Sequence, residues 1–444
     1  MKSAAKRVSY ALRLHLLGKN VINLFFFKNY RELEKRFFPM TISGTFPIHA
    51  YAYLNSSINH QNAYGDTALH ESAKNGNIQE VKFLLTHSDI DINIQNKGGD
   101  TPLTLAAWGK NIDVMELLLA RPEINVNLSC NRKWTALYIM IWKDNLDGID
   151  LLLDHPDIDV NLQCEYGTAL HLAIDRNKTK IAKLLLARSE IDVNRKDEND
   201  GDTPLIQAVY NRGLSKSISL LLTRDDLDVN VQNHKGYTAL HRAAMRENIE
   251  ALKVLLSRSD INVNPQNRRK KTPLHKVVRQ NNIKVTKILL KHPDIDVNAK
   301  NFFDCTPLHE AISEDYTEII NLLLNHPKLD INNRGVCGRT PLHAVVVKNN
   351  IQVMQNLLNR PEVDVNLFDE YDNTPLHIAV HNKNKEACLL LSKHEKIDLS
   401  YYVNSKGKKC WSCAGKNFSK EENSFIRKVF EKRDENEKID EDSD

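Results

Sequence analysis

Apolar residues in this chain come in paired helical bursts. Between Thr272 and Asn298, Leu274, Val277 and Val278 recur at helical spacing. Asn281-Asn282 then interrupt, and Ile283, Val285, Ile288, Leu289 and Leu290 form a second, more apolar burst. Thr272 stands as an N-cap and Pro273 as the first helical residue, where a missing N–H costs nothing. Asparagine tolerates the left-handed conformation, so Asn281-Asn282 predict a break between two short helices. Helices of two or three turns are marginal alone in water. Burial of the Leu pairs against neighbouring copies, at roughly 1.5–3 kcal/mol per side chain, has to hold them.

The same unit recurs ten times. Its opening threonine stands at Thr67, Thr101, Thr135, Thr168, Thr203, Thr238, Thr272, Thr306, Thr340 and Thr374. A second marker, Asp/Asn-Val/Ile-Asn, keeps step and ends at Asn93, Asn127, Asn161, Asn194, Asn230, Asn264, Asn298, Asn332 and Asn366. A fixed period in this range means a repeat array, so the length of 444 residues does not translate into several globular domains.

The motif Thr-Pro/Ala-Leu-His, seen near-complete in Tyr237-Thr238-Ala239-Leu240-His241-Arg242-Ala243-Ala244 and Arg339-Thr340-Pro341-Leu342-His343-Ala344, resembles the ankyrin repeat. The resemblance covers roughly residues 60–400. It implies an all-α repeat solenoid of stacked helix-turn-helix units with projecting β-hairpin-like loops. It also implies a protein-binding scaffold that uses loop tips and the exposed face of each first helix. Two departures stand out. The glycine that usually ends the family's second helix is replaced by His-Pro-Asp-Ile-Asp-Val-Asn at 155–161 and 292–298, which predicts a differently built outer turn. The loop before Thr168 is one residue short, the loop before Thr203 is one long, and an extra residue falls near 211–214. Together these predict an irregularity around 195–230.

The ends depart from the repeat. Residues 1–59 form a basic leader, with seven Lys/Arg and no acid in the first 31. Two readings fit it, a mitochondrial transit segment or a cationic cap over the first repeat. Residues 44–50 look like a decayed copy of the motif. Residues 401–430 read as a degenerate capping repeat, and 431–444, with eight acids against three bases, as an acidic disordered tail.

Composition narrows the chemistry. Sixty-one basic and 57 acidic residues leave a net charge of +4, which gives no argument for nucleic-acid binding. No apolar run reaches the length of a membrane span. Seven scattered cysteines, an odd number, indicate a reducing compartment, cytoplasm or nucleus. Cys410-x-x-Cys413 lacks the second pair a zinc site needs and reads as structural. No nucleotide-binding, kinase or hydrolase signature is present, so the chain is read as a non-enzyme without metal or cofactor.

The histidines fall in two columns. His70, His171, His241, His275, His309, His343 and His377 occupy the motif position and are expected to bond loop backbone and tie neighbouring copies together. His87, His155, His292, His326 and His394 share a later column with Arg121, Arg188, Arg224, Arg258 and Arg360. A cation there suits a helix C-terminus, and capping is favoured over a ligand strip. Arg268-Arg269-Lys270-Lys271 resembles a basic import signal or an anion contact, against the default of a solvated loop.

Binding positions follow from the columns just before and seven after each threonine. Three of the four tryptophans fall there. Trp108, Trp134 and Trp142, with Tyr138 in place of the motif histidine, would form an aromatic patch. The alternative is internal packing of an irregular repeat. Tyr210, Tyr237, Arg242, Lys271 and Arg279 extend the face into a polar second half suited to an acidic segment. The favoured function is a monomeric adaptor that binds a protein partner. The alternatives are a substrate-receptor subunit of a ubiquitin-ligase-type complex and a secreted host-directed effector.

Overall fold

The computed structural model describes residues 57–210 and 215–398. The sequence-based readings of the leader, the decayed motif at 44–50, the extra residue near 211–214, the capping repeat with Cys410 and Cys413, and the acidic tail lie outside the described residues, except for 57–59.

Among the described residues ten helix pairs follow one another: α1 (Ala68–Asn75) with α2 (Ile78–Leu84), α3 (Pro102–Gly109) with α4 (Ile112–Leu119), α5 (Ala136–Trp142) with α6 (Leu146–Leu153), α7 (Ala169–Asp175) with α8 (Thr179–Leu186), and α9 (Pro204–Tyr210) with α10 (Ser215–Leu221). The remaining pairs are α11 (Ala239–Met245) with α12 (Ile249–Leu256), α13 (Pro273–Arg279) with α14 (Ile283–Leu289), α15 (Pro307–Ser313) with α16 (Thr317–Leu324), α17 (Pro341–Lys348) with α18 (Ile351–Leu358), and α19 (Pro375–His381) with α20 (Lys385–Ser392). The chain divides into two compact units, up to Ala173 and from Ile174. Within each, first helices pack on first helices and second on second.

The helix break expected at Asn281-Asn282 is a single left-handed residue. Asn281 has φ 54°, and Lys110, Asp144, Asn177, Glu247, Asp315, Asn349 and Lys383 adopt the same conformation at the same register. The reversal lets Leu274, Val277 and Val278 face Val285 and Leu289 in a fully buried core.

The projecting loops are tight turns, most of them organised by one side chain. At 267–271, Asn267 N–H donates to Lys271 O (3.0 Å) and Lys270 N–H to Asn267 O (2.7 Å). Asn267 Oδ1 accepts from Arg269 N–H and Lys271 N–H. The expected β-hairpins are thus reduced. Among the described residues there are only two isolated bridges, Ser129–Thr135 and Cys164–Gly167, and no strands. The asparagine side chain supplies the acceptors that a strand partner would otherwise provide. The short loop before Thr168 closes through Cys164 and Gly167. In the long loop before Thr203, Asp197 takes the asparagine role, accepting from Asn199 N–H and Gly201 N–H.

The outer turn is also built without glycine. The second helices end in right-handed conformation, as at Asp154, Leu290 and Lys393. His155, His292, His326 and His394 each accept at Nδ1 from the N–H two residues on. His394 Nε2 then donates to Leu358 O, the last residue of α18. The expected capping of helix-end carbonyls is met across copies: with Nδ1 as an acceptor, His394 donates from Nε2 to a carbonyl that belongs to the preceding copy. His87 differs, with its Nδ1 facing Leu84 O of its own helix (3.3 Å). Arg224 also reaches back one copy, to Leu186 O and Arg188 O, and pairs with Asp226.

A third device is the asparagine that closes the Asp-Val-Asn marker. Asn264 Nδ2 donates to Asp294 O (2.8 Å), and its Oδ1 accepts from Asp296 N–H (2.8 Å). Asn93, Asn127, Asn194, Asn230, Asn298, Asn332 and Asn366 repeat both bonds. Asn59 does the same with Asp89 and Asp91, so the ladder reaches one residue into the segment read as leader.

Candidate functional site

In the seven copies that keep both, the motif threonine and histidine build a rigid platform at the start of the first helix. Thr238 is the N-cap of α11. Its Oγ1 accepts from His241 N–H, while Thr238 N–H donates to His241 Nδ1 (3.3 Å). The Nε2–H of His241 then reaches into the next copy and donates to Lys271 O (3.0 Å). His70, His275, His309 and His343 repeat the bond on Asp100, Cys305, Arg339 and Asn373. Because Nδ1 accepts from the threonine N–H, the proton sits on Nε2 and the ring is neutral. Burial pushes His241, His309 and His343 down to about 4. His70 and His275 are lowered for the same reason.

In the first unit the tryptophans lie on the two copies whose motif histidine is replaced, by Thr104 and by Tyr138. Trp134, the residue before the N-cap of α5, stacks on Trp108 from the end of α3 (ring centroids 5.4 Å, planes 18° apart). It also meets Trp142 from the end of α5 (5.0 Å) and Tyr138 from its first turn (5.3 Å). Trp134 is 4% exposed and its indole N–H donates to Glu165 Oε2 (3.2 Å). Trp108 and Trp142 are half-buried, and the Lys143 ammonium lies 4.9 Å from the centre of the Trp108 ring. The four aromatics are therefore one cluster, with Trp134 inside it and Trp108 and Trp142 at its border.

Tyr138 does not reach the surface. It is fully buried, and its hydroxyl makes no hydrogen bond of good geometry among the described residues, with only the Tyr166 backbone N–H close to it. Burial raises its ionisation far above the ordinary phenol value. It fills the motif histidine's place without making the histidine's bond.

In the second unit the residues singled out by sequence form a stack of cations and rings. The Arg242 guanidinium lies between Tyr210 (5.3 Å) and Tyr237 (5.2 Å). Arg246 covers the Tyr210 ring at 3.9 Å, and the Lys276 ammonium stands 5.5 Å from Tyr237. Asp202 pairs with Arg242 (3.5 Å), and burial raises the Asp202 carboxyl despite that pairing. Tyr210 and Arg279 are exposed. Lys271 is a correction to the expected binding face. Its side chain is buried against Glu310, which also accepts from Asn301 Nδ2 (2.8 Å), so the ammonium is committed inside the fold.

One further set of exposed residues has no counterpart in the sequence columns. Phe302 and Phe303 are 65% and 60% exposed, and Tyr371 and Val336 are 54% and 49% exposed. All four sit at loop tips, three or four residues before the next threonine, and so outside both columns. Large apolar side chains at the tips themselves are the signal that marks them.

Among the described residues, no helix is long and apolar enough to cross a membrane, and no cluster of His, Cys, Asp and Glu could hold a metal ion.

Tandem helix pairs, locked copy to copy through backbone-bonding histidines and asparagines, define a repeat protein whose surface side chains vary on a constant frame. A family model described as ankyrin repeats (three copies) matches residues 44–129, 119–197, 137–233, 192–267, 259–335 and 308–401. The chain belongs to the ankyrin-repeat family. Ankyrin repeats are generally protein–protein interaction modules without catalytic activity of their own. A search of curated proteins found no match.

Proposed function

We propose that this chain is a monomeric, non-catalytic adaptor whose protein partner seats on the tryptophan cluster of the first unit. The observation that carries this reading is the partial exposure of Trp108 and Trp142 around a buried, hydrogen-bonded Trp134. A preformed aromatic surface loses little side-chain entropy on binding, and tryptophan dominates interface hot spots. In the second unit the Tyr210–Arg242–Tyr237 stack, with Arg246 and Lys276 beside it, supports binding of acidic side chains. A reducing compartment, cytoplasm or nucleus, suits the five unpaired cysteines of the described residues.

The test is affinity capture with the intact chain beside a Trp108→Ala/Trp142→Ala version, after circular dichroism establishes that both are helical. A partner held by the intact chain and lost from the variant supports the adaptor reading. An unchanged partner set removes the cluster from the binding site, and loss of helix content assigns the tryptophans to packing.

A further inference from the structure

The loop tips of the second unit carry a surface that the tryptophan cluster and the tyrosine–arginine stack do not use. Phe302 and Phe303 meet edge to face (ring centroids 5.5 Å, planes 88° apart) and both project into solvent. Phe302 N–H donates to Arg269 O (3.0 Å), which fixes the pair directly beside the exposed Arg268, Arg269 and Lys270. On the other side, His309 Nε2 donates to Arg339 O, holding the tip that bears Val336 in the next place. Glu370 N–H donates to Cys337 O (2.9 Å), and Cys337 Sγ lies 3.8 Å from the Tyr371 hydroxyl, which adds the tip after that. Four successive tips therefore run basic, aromatic, aliphatic, aromatic in a fixed order.

Isolated exposed apolar residues need no explanation, but successive ones on backbone-linked loops mark a contact surface. We infer that this ridge binds an extended protein segment with acidic residues at one end followed by apolar side chains. The basic tip sets the charge of the partner. Neighbouring tips stand about 10 Å apart, the usual spacing of packed helices. An extended chain covers that distance in about three residues, so the segment engages the ridge over roughly ten residues. Asp304 and Glu370 lie among the apolar tips. They would be repelled by anionic headgroups and desolvated on insertion, which favours a protein partner over a membrane surface.

The experiment selects a phage-displayed library of random 16-residue peptides on the full chain and measures the selected peptides against three variants. Peptides that join acidic and apolar residues are expected. They should bind at least tenfold more weakly to Phe302→Ser/Phe303→Ser and to Arg268→Glu/Arg269→Glu, with unaltered circular dichroism. They should bind Trp108→Ala/Trp142→Ala as tightly as the original chain, so this surface stands or falls apart from the tryptophan site. Peptides that ignore the phenylalanine substitutions, or selected peptides without acidic residues, overturn the assignment. Phenylalanine-dependent sedimentation with phosphatidylserine vesicles, in place of peptide binding, also overturns it.

Discussion

His241 Nε2 donates to the carbonyl of Lys271, thirty residues further on, at 3.0 Å. The same bond joins His309 to Arg339 and His343 to Asn373. It requires a neutral imidazole, because Nδ1 is occupied by the threonine N–H of its own helix start.

Stability should accordingly fall in mild acid. An unfolded imidazole titrates near 6.5, whereas His241, His309 and His343 are held down to about 4 in the fold. Above 6.5 both states are neutral and the contribution is fully present. As the pH falls toward 4 the unfolded chain takes up protons that the folded chain refuses. The loss at pH 5 is on the order of 2 kcal/mol for each of these groups. Urea midpoints measured at pH 7.5 and pH 5 should drop accordingly, and His309→Gln should show a shallower drop. A flat profile would contradict the neutral-bridge assignment.

The asparagine ladder predicts a different pattern. Asn264→Ala removes a donor and an acceptor that both cross to the next copy, and should cost about 1–2 kcal/mol. Asn264→Asp keeps the acceptor toward Asp296 N–H but sets a carboxylate against the Asp294 carbonyl. It should recover little of the loss. Equilibrium unfolding of the two variants decides this, and an aspartate variant as stable as the original chain would refute it.

Tyr138 offers a substitution that should help. Its buried hydroxyl makes no hydrogen bond of good geometry among the described residues, with only the Tyr166 backbone N–H close to it. Tyr138→Phe should therefore leave stability unchanged or raise it by about 1 kcal/mol. A loss of about 1 kcal/mol or more in chemical denaturation would mean that the hydroxyl makes a bond worth keeping.

The Lys271–Glu310 pair should behave as a buried ion pair. Lys271→Met strands the Glu310 carboxylate and should cost about 3–5 kcal/mol. Adding Glu310→Leu should return part of that loss, with the remainder traced to Asn301, which then lacks its acceptor. Thermal midpoints of the single and double variants test this. A double variant less stable than the single one would contradict it.

Much of this frame was legible in the chain. Thr272 and Pro273 marked a helix start, and Asn281 marked the left-handed break, because both act within a few residues of themselves. Bonds that cross copies were harder to read. Asn264 was visible as a periodic marker, but its role depends on residues 294 and 296 lying beside it. Lys271 sat in a surface column, and only the position of Glu310, 39 residues away, turns it inward. Phe302 and Phe303 escaped because the tips vary from copy to copy and carry no period to follow.

Tryptophan emission bears on the proposed adaptor role with the fewest intermediate steps. The full chain would carry Trp411→Phe, so that only Trp108, Trp134 and Trp142 report. On addition of a partner captured by the intact chain, a blue shift and reduced acrylamide quenching are expected, as Trp108 and Trp142 lose water. Saturating binding with unchanged emission and quenching would contradict a partner seated on the cluster.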